Sequence, residues 1–131
     1  MSIETICIID DDPIFIFGTK ILLNNNEFCD TILVSNNGQE GVECLESFLK
    51  EKNKLPELIF LDLNMPVLDG WGFLDAFNES YKDVNTKIYI LSSSIDSRDI
   101  ERAKQYSLVE GFIAKPLTDK IIKNLKINFQ S

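Results

Sequence analysis

The chain contains no histidine in its 131 residues. Imidazole general-base catalysis and histidine-ligated zinc are therefore excluded. Cysteine is scarce: Cys7, Cys29 and Cys44 are odd in number and form no CxxC pair. That pattern argues against structural disulfides. Cys7 lies inside an apolar run and reads as a small core residue. Basic residues are outnumbered, 13 Lys and Arg against 21 Asp and Glu, for a net charge of -8. A surface of that sign disfavours non-specific binding to nucleic acid or to an anionic membrane. No apolar run approaches the roughly 20 residues that span a bilayer. Met1–Thr5 lacks the basic segment and long apolar segment of a secretory leader. These absences predict a soluble, cytoplasmic protein with no nucleic-acid or membrane partner.

What is present is enough to build a core. Hydrophobic residues make up 44% of the chain, nine of them Phe, and the length fits one domain. The expectation is a single domain over residues 1–131 with no output module. Strand-like and helix-like segments alternate throughout, without an internal repeat or a low-complexity tract. Residues 5–9 are β-branched and apolar without alternation, as in a strand buried on both faces. Pro13 can occupy the first position of a helix, and Ile14, Phe17, Ile21 and Leu22 follow it at helical spacing. Residues 31–34 form a second strand. Asn37 caps a second helix, with Glu40 three residues on as in a capping box and Val42, Leu45 and Leu49 as its apolar stripe. Strand three ends at Asp62. Asp69-Gly70 opens a helix bearing Phe73, Leu74 and Phe77. Strand four covers 87–91, and a helix near 97–106 carries Ile100 and Ala103. Strand five covers 111–114. The last helix follows Pro116 and turns Ile121, Ile122 and Leu125 inward. Five such units predict an α/β doubly wound parallel sheet with helices on both faces.

Four of these strands end on residues of related chemistry. Ile9 is followed by Asp10-Asp11-Asp12, Leu61 by Asp62, Leu91 by Ser92 and Ala114 by Lys115-Pro116. In an open parallel sheet the carboxyl ends of the strands share one edge, where sites form. That edge would gather carboxylates, a hydroxyl and an ammonium, a set suited to a divalent cation and a phosphoryl group.

The segments Ile8-Ile9-Asp10-Asp11-Asp12-Pro13, LDLNMPVLDG (61–70), LSSS (91–94) and AKP (114–116) together resemble the receiver domains of bacterial response regulators. The resemblance runs from Thr5 to about Ile127. It implies a flavodoxin-like, CheY-like fold with strand order 2-1-3-4-5. It also implies a stand-alone response regulator of a two-component or phosphorelay system that accepts a phosphoryl group on Asp62. Asp10, Asp11, Asp62 and the backbone carbonyl of Asn64 would hold Mg²⁺, with Asp11 in direct contact and Asp10 acting through water. Asp12 would be a flanking acid that serves the helix terminus. Ser92 would bond a phosphoryl oxygen, although Ser93 and Ser94 adjoin it. Lys115 would pair with Asp62 and then with the phosphoryl group. The Lys115-Pro116 bond becomes a candidate for the cis form.

Phe112 stands at the aromatic switch position, where it reads equally as a core aromatic. Met65-Pro66 and Gly70 would shape the acceptor loop, Gly70 by permitting positive φ. Trp71, the single tryptophan, reads as core or groove lining.

The implied donor is a sensor histidine kinase or a histidine phosphotransfer protein, since a chain without histidine cannot be that donor itself. The implied recipient of the signal is another protein. The chain would not be an enzyme beyond catalysing its own phosphorylation and dephosphorylation. Relay and direct-effector roles both fit. Two other readings stand beside this one. Asp10-x-Asp12 after a strand resembles the opening of haloacid-dehalogenase-type phosphatases, which use an Asp nucleophile. A degenerate receiver serving only as a docking module would carry the same fold.

Overall fold

Ile6, Cys7, Ile8 and Ile9 are all fully buried, although successive side chains of a strand point to opposite faces. Their strand must be covered on both sides. A computed structural model describes residues 3–130 and shows how this is achieved. Met1, Ser2 and Ser131 lie outside the described residues, and with them the two ends of the single-domain expectation.

Five strands alternate with five helices: β1 (Ile3–Ile9), α1 (Pro13–Asn25), β2 (Cys29–Ser35), α2 (Gly38–Lys52), β3 (Leu58–Asp62), α3 (Gly70–Ser80), β4 (Lys87–Ser92), α4 (Ser97–Ala103), β5 (Val109–Ala114) and α5 (Asp119–Gln130). The strands form one parallel sheet in the order β2-β1-β3-β4-β5. Chain order reverses direction between β1 and β3, so their carboxyl ends flank a crevice.

Two cores follow from the alternation. On one face Ile6 and Ile8 of β1, with Leu58 and Phe60 of β3, meet Phe15, Ile16 and Leu23 of α1 and Ile122 and Leu125 of α5. On the other, Cys7 and Ile9, with Ile59 and Leu61, meet Leu45 of α2, Phe73, Leu74 and Phe77 of α3 and Ala103 of α4. Each fully buried aliphatic or aromatic side chain contributes roughly 1.5–3 kcal/mol relative to exposure.

Caps fix where the helices start. Asn37 accepts from the Glu40 N–H at 2.9 Å, as a capping box requires. The return bond of Glu40 reaches the N–H of Asn36 at 3.0 Å, one residue earlier than expected. Asp69 caps α3 by accepting from the Gly72 N–H, and Asp96 caps α4 by accepting from the Arg98 N–H. The strands run longer than expected at their starts, β1 from Ile3, β2 from Cys29 and β5 from Val109.

Two helices leave some of their spaced apolar residues exposed. In α1, Ile14, Phe17 and Ile21 are exposed at 82%, 67% and 43%, and Phe15, Ile16, Thr19 and Leu23 are buried instead. The helix is apolar on both faces, so spacing alone does not select the buried one. The buried face is the one that packs on β1, β3 and α5. In α4, Ile100 is 40% exposed while Ala103 is buried. That helix ends at Ala103 rather than near 106, and Ala103 joins the buried core on that face of the sheet.

Candidate functional site

Strand register assembles the site. Ile9 pairs with Leu61, Asp62 with Leu91 and Ser92 with Ala114, so the residues ending β1, β3, β4 and β5 stand along one edge. Backbone bonds continue the ladders past the strands. The N–H of Asp10 donates to Ser35 O at 3.0 Å, and that of Lys115 donates to Ser92 O at 2.9 Å. The Lys115-Pro116 peptide bond is cis.

Carboxylate oxygens of Asp10, Asp11 and Asp62 all lie within 4.8 Å of one another. Asp10 is fully buried, Asp62 is buried and Asp11 is exposed, so the cluster opens to solvent on one side. Lys115 Nζ stands 2.7 Å from Asp10 Oδ2 and 3.7 Å from Asp62 Oδ1, with its side chain only 16% exposed. The expected Lys115–Asp62 pair is thus present, but Asp10 is the nearer partner. Asp10 Oδ1 accepts from the Asp12 N–H at 2.9 Å. Asp10 Oδ2 has a cation beside it but no aligned hydrogen-bond donor. A buried oxygen in that condition is open to a further cation.

The pKa of Asp62 is raised from its ordinary value. Burial is the main cause and the neighbouring Asp10 charge the next; Lys115 and a bond from the backbone N–H of Asn64 partly oppose them. An all-oxygen donor set of this kind, with one open side, fits a hard divalent cation that keeps several waters. The carboxylates of Asp10, Asp11 and Asp62 could therefore hold a metal.

Ser92 is buried and turned to its own loop, donating to Ser94 O at 2.8 Å and accepting from the Ser94 N–H at 3.1 Å. Asp12 caps α1, accepting from the N–H groups of Ile14 and Phe15 at 3.0 and 3.3 Å, as its helix-terminus reading expected. Phe112 is partly buried and packs against the α2–α3–α4 core.

The acceptor loop departs from expectation in one respect. Among the described residues no glycine has positive φ; Val67 has it, at 68°. Leu68 N–H donates back to Pro66 O at 2.8 Å, which closes a three-residue turn over Val67. Gly70 is needed for space instead. A Cβ there would stand 2.6 Å from Asp62 O and 2.8 Å from Leu63 Cα. Gly38 is restricted likewise, since its Cβ would lie 2.4 Å from Leu68 O, the atom its N–H bonds at 2.8 Å. Removing side chains at these two points lets α2 and α3 clamp the loop.

One neighbour of the site was missed by sequence reasoning. The Phe15 ring lies under Lys115, with Nζ 4.5 Å from its centroid. In sequence Phe15 is one apolar residue in a run of them, and nothing there marks it. Trp71 is half-buried, as its groove-lining reading allowed, and stacks with Arg102 at 4.4 Å and Tyr106 at 6.1 Å.

A family model described as the response regulator receiver domain matches residues 6–126. The chain belongs to that family. This receiver domain is 32% identical over 113 residues to the nitrate/nitrite response regulator protein NarL of Escherichia coli, covering 86% of the chain and 48% of NarL. It is 29% identical over 102 residues to the sensor histidine kinase CheAY of Helicobacter pylori, covering 74% of the chain and 12% of that protein. The receiver domain thus spans about half the length, or less, of these curated relatives. The solved structure of a two-component response regulator from Cytophaga hutchinsonii matches it with a TM-score of 0.85 at 27% identity, covering 98% of this chain and 99% of that one. The five-stranded order 2-1-3-4-5 is that of the CheY-like fold, which the Cytophaga hutchinsonii structure matches. Among the described residues no helix is long and apolar enough to cross a membrane.

Proposed function

We propose that this receiver domain accepts a phosphoryl group on Asp62 from a phosphohistidine donor, either a sensor histidine kinase or a histidine phosphotransfer protein. The observation that carries this reading is the cluster of Asp10, Asp11 and Asp62 within 4.8 Å, with Lys115 Nζ 2.7 Å from Asp10 and 3.7 Å from Asp62. A carboxylate oxygen of Asp62 attacks phosphorus, the P–N bond to the donor imidazole breaks, and an acyl phosphate remains. Such transfer depends on positioning and charge neutralisation more than on other covalent help. Lys115 supplies a fixed positive charge beside the nucleophile. Asp10, Asp11, Asp62 and the backbone carbonyl of Asn64 would hold Mg²⁺, which when bound supplies further positive charge to the phosphoryl oxygens.

Modification adds about -1.5 to -2 charge units and three acceptor oxygens. Ser92 then exchanges its bond to Ser94 O for one to a phosphoryl oxygen. Phe112 follows by further burial, because phenylalanine has no hydroxyl with which to bond. The surface of α4, β5 and α5 changes, and a partner protein reads it through a shift between conformations that both pre-exist.

The chain acts on no substrate but its own Asp62. Exposed Ile14 and Val67 near the site and the net charge of -8 favour a protein partner over a nucleic acid. Cytoplasmic placement belongs to the same reading. The phosphatase alternative gains no support, because Asp10 is fully buried and has the Asp12 N–H on one oxygen and Lys115 beside the other.

The test is the intact mass after incubation with acetyl phosphate and Mg²⁺. One phosphate on the wild-type protein, absent with EDTA, is the expected result. No adduct, together with no Mg²⁺ binding by calorimetry, would favour a docking module.

A further inference from the structure

We propose that Phe15 is a positioning residue for Lys115, holding the ammonium at the acid cluster with the face of its ring. For its bearing on the reaction the proposal rests on the phosphoacceptor reading of Asp62. Lys115 Nζ lies 4.5 Å from the ring centroid, inside the roughly 6 Å over which a cation is attracted by an aromatic face. Both partners are largely shielded from water: Phe15 is 9% exposed and the Lys115 side chain 16%. Shielding strengthens the attraction.

The carboxylate partners of Lys115 attract it strongly but leave its direction incompletely fixed. Its contact with Asp10 Oδ2 at 2.7 Å is close, yet it is not an aligned hydrogen bond. Asp62 is farther, at 3.7 Å. Attraction to carboxylates also weakens whenever another cation occupies them. A strongly hydrated dication competes poorly for an aromatic face, so the ring keeps its hold when the carboxylates are shared. The ring is itself aimed by the first turn of α1. The Phe15 N–H donates to Asp12 Oδ1 at 3.3 Å, and the Asp12 N–H donates to Asp10 Oδ1 at 2.9 Å. One short segment thus places both the carboxylate and the ring that flank the ammonium. An aliphatic residue at position 15 would fill similar space but offer the cation no face.

Two measurements test this. The first is a double-mutant cycle on folding stability in EDTA, with Phe15→Leu, Lys115→Met and both together. The unfolding constant should rise more on Phe15→Leu when Lys115 is present than when it is Met, by roughly fivefold. Additive effects would overturn the contact. The second is the rate of phosphate incorporation from acetyl phosphate with saturating Mg²⁺ at fixed pH. Phe15→Leu should lower the maximal rate roughly tenfold without changing the half-saturating acetyl phosphate concentration, and Phe15→Tyr should restore it. A Leu variant as fast as wild type, or a Tyr variant as slow as Leu, would overturn the positioning role. A wild-type protein that takes no phosphate contradicts the reading of Asp62, and the cycle alone then decides whether the ring holds the ammonium.

Discussion

Lys115 Nζ stands 2.7 Å from Asp10 Oδ2 and 3.7 Å from Asp62 Oδ1, so the lysine is first the counter-ion of a fully buried carboxylate. Removing one partner of a buried pair leaves an uncompensated charge. Lys115→Met should therefore lower stability in EDTA by roughly 3 kcal/mol. Saturating Mg²⁺ should restore more stability to the variant than it adds to wild type. Urea denaturation with and without Mg²⁺ measures both, and equal responses to Mg²⁺ would contradict this account of Lys115.

Asp62 makes stability depend on pH. Burial and the Asp10 charge raise its pKa from 3.8 in the folded metal-free protein. The folded state then holds its proton more firmly than the unfolded chain. The stabilisation is full below about 3.8 and is lost as pH rises through the raised folded value. Asp62→Asn lacks this loss. In EDTA the variant should melt above wild type at neutral pH, and the gap should close on acidification towards pH 4. Parallel melting curves would contradict it.

Val67 and Gly70 should respond in opposite directions. Val67 is 83% exposed at φ 68°, a conformation unfavourable for a β-branched residue. Val67→Gly should gain up to about 1 kcal/mol, since little packing is lost. Gly70→Ala should cost about 1–3 kcal/mol, because its Cβ would meet Asp62 O at 2.6 Å. Chemical denaturation of both variants checks the pair.

The cysteines should label in a fixed order. Cys44 is half-buried and its pKa is lowered to about 6, chiefly by a hydrogen bond from Cys7, with Ser35 assisting. Cys7 is fully buried and pushed up, and burial pushes Cys29 up to about 11. Iodoacetamide at pH 7 should modify Cys44 first, because the thiolate is the reactive form. Peptide mass spectrometry gives the order; Cys29 first would contradict it.

The sheet was legible because its strands are apolar on both faces, and the site because its chemistry sits where those strands stop. Asp10, Asp11, Asp62, Ser92 and Lys115 come to one edge by register alone. The buried face of α1 was not legible. Ile14 and Phe17 match Phe15 and Ile16 in hydrophobicity, and only the tertiary direction of the helix separates them. The burden on Gly70 was misread as conformational because a sequence shows glycine but not the carbonyl beside it. The Phe15–Lys115 contact joins residues 100 positions apart, both of ordinary type, and only the fold brings them together.

The claim that Asp62 is the phosphoacceptor is tested most directly by borohydride trapping. The protein is treated with acetyl phosphate and Mg²⁺, reduced, digested and mapped by peptide mass, since reduction converts a phosphorylated aspartate to homoserine. Homoserine at position 62 alone, absent from Asp62→Asn, is the predicted result. Homoserine at position 10, or an unchanged yield in Asp62→Asn, would contradict it.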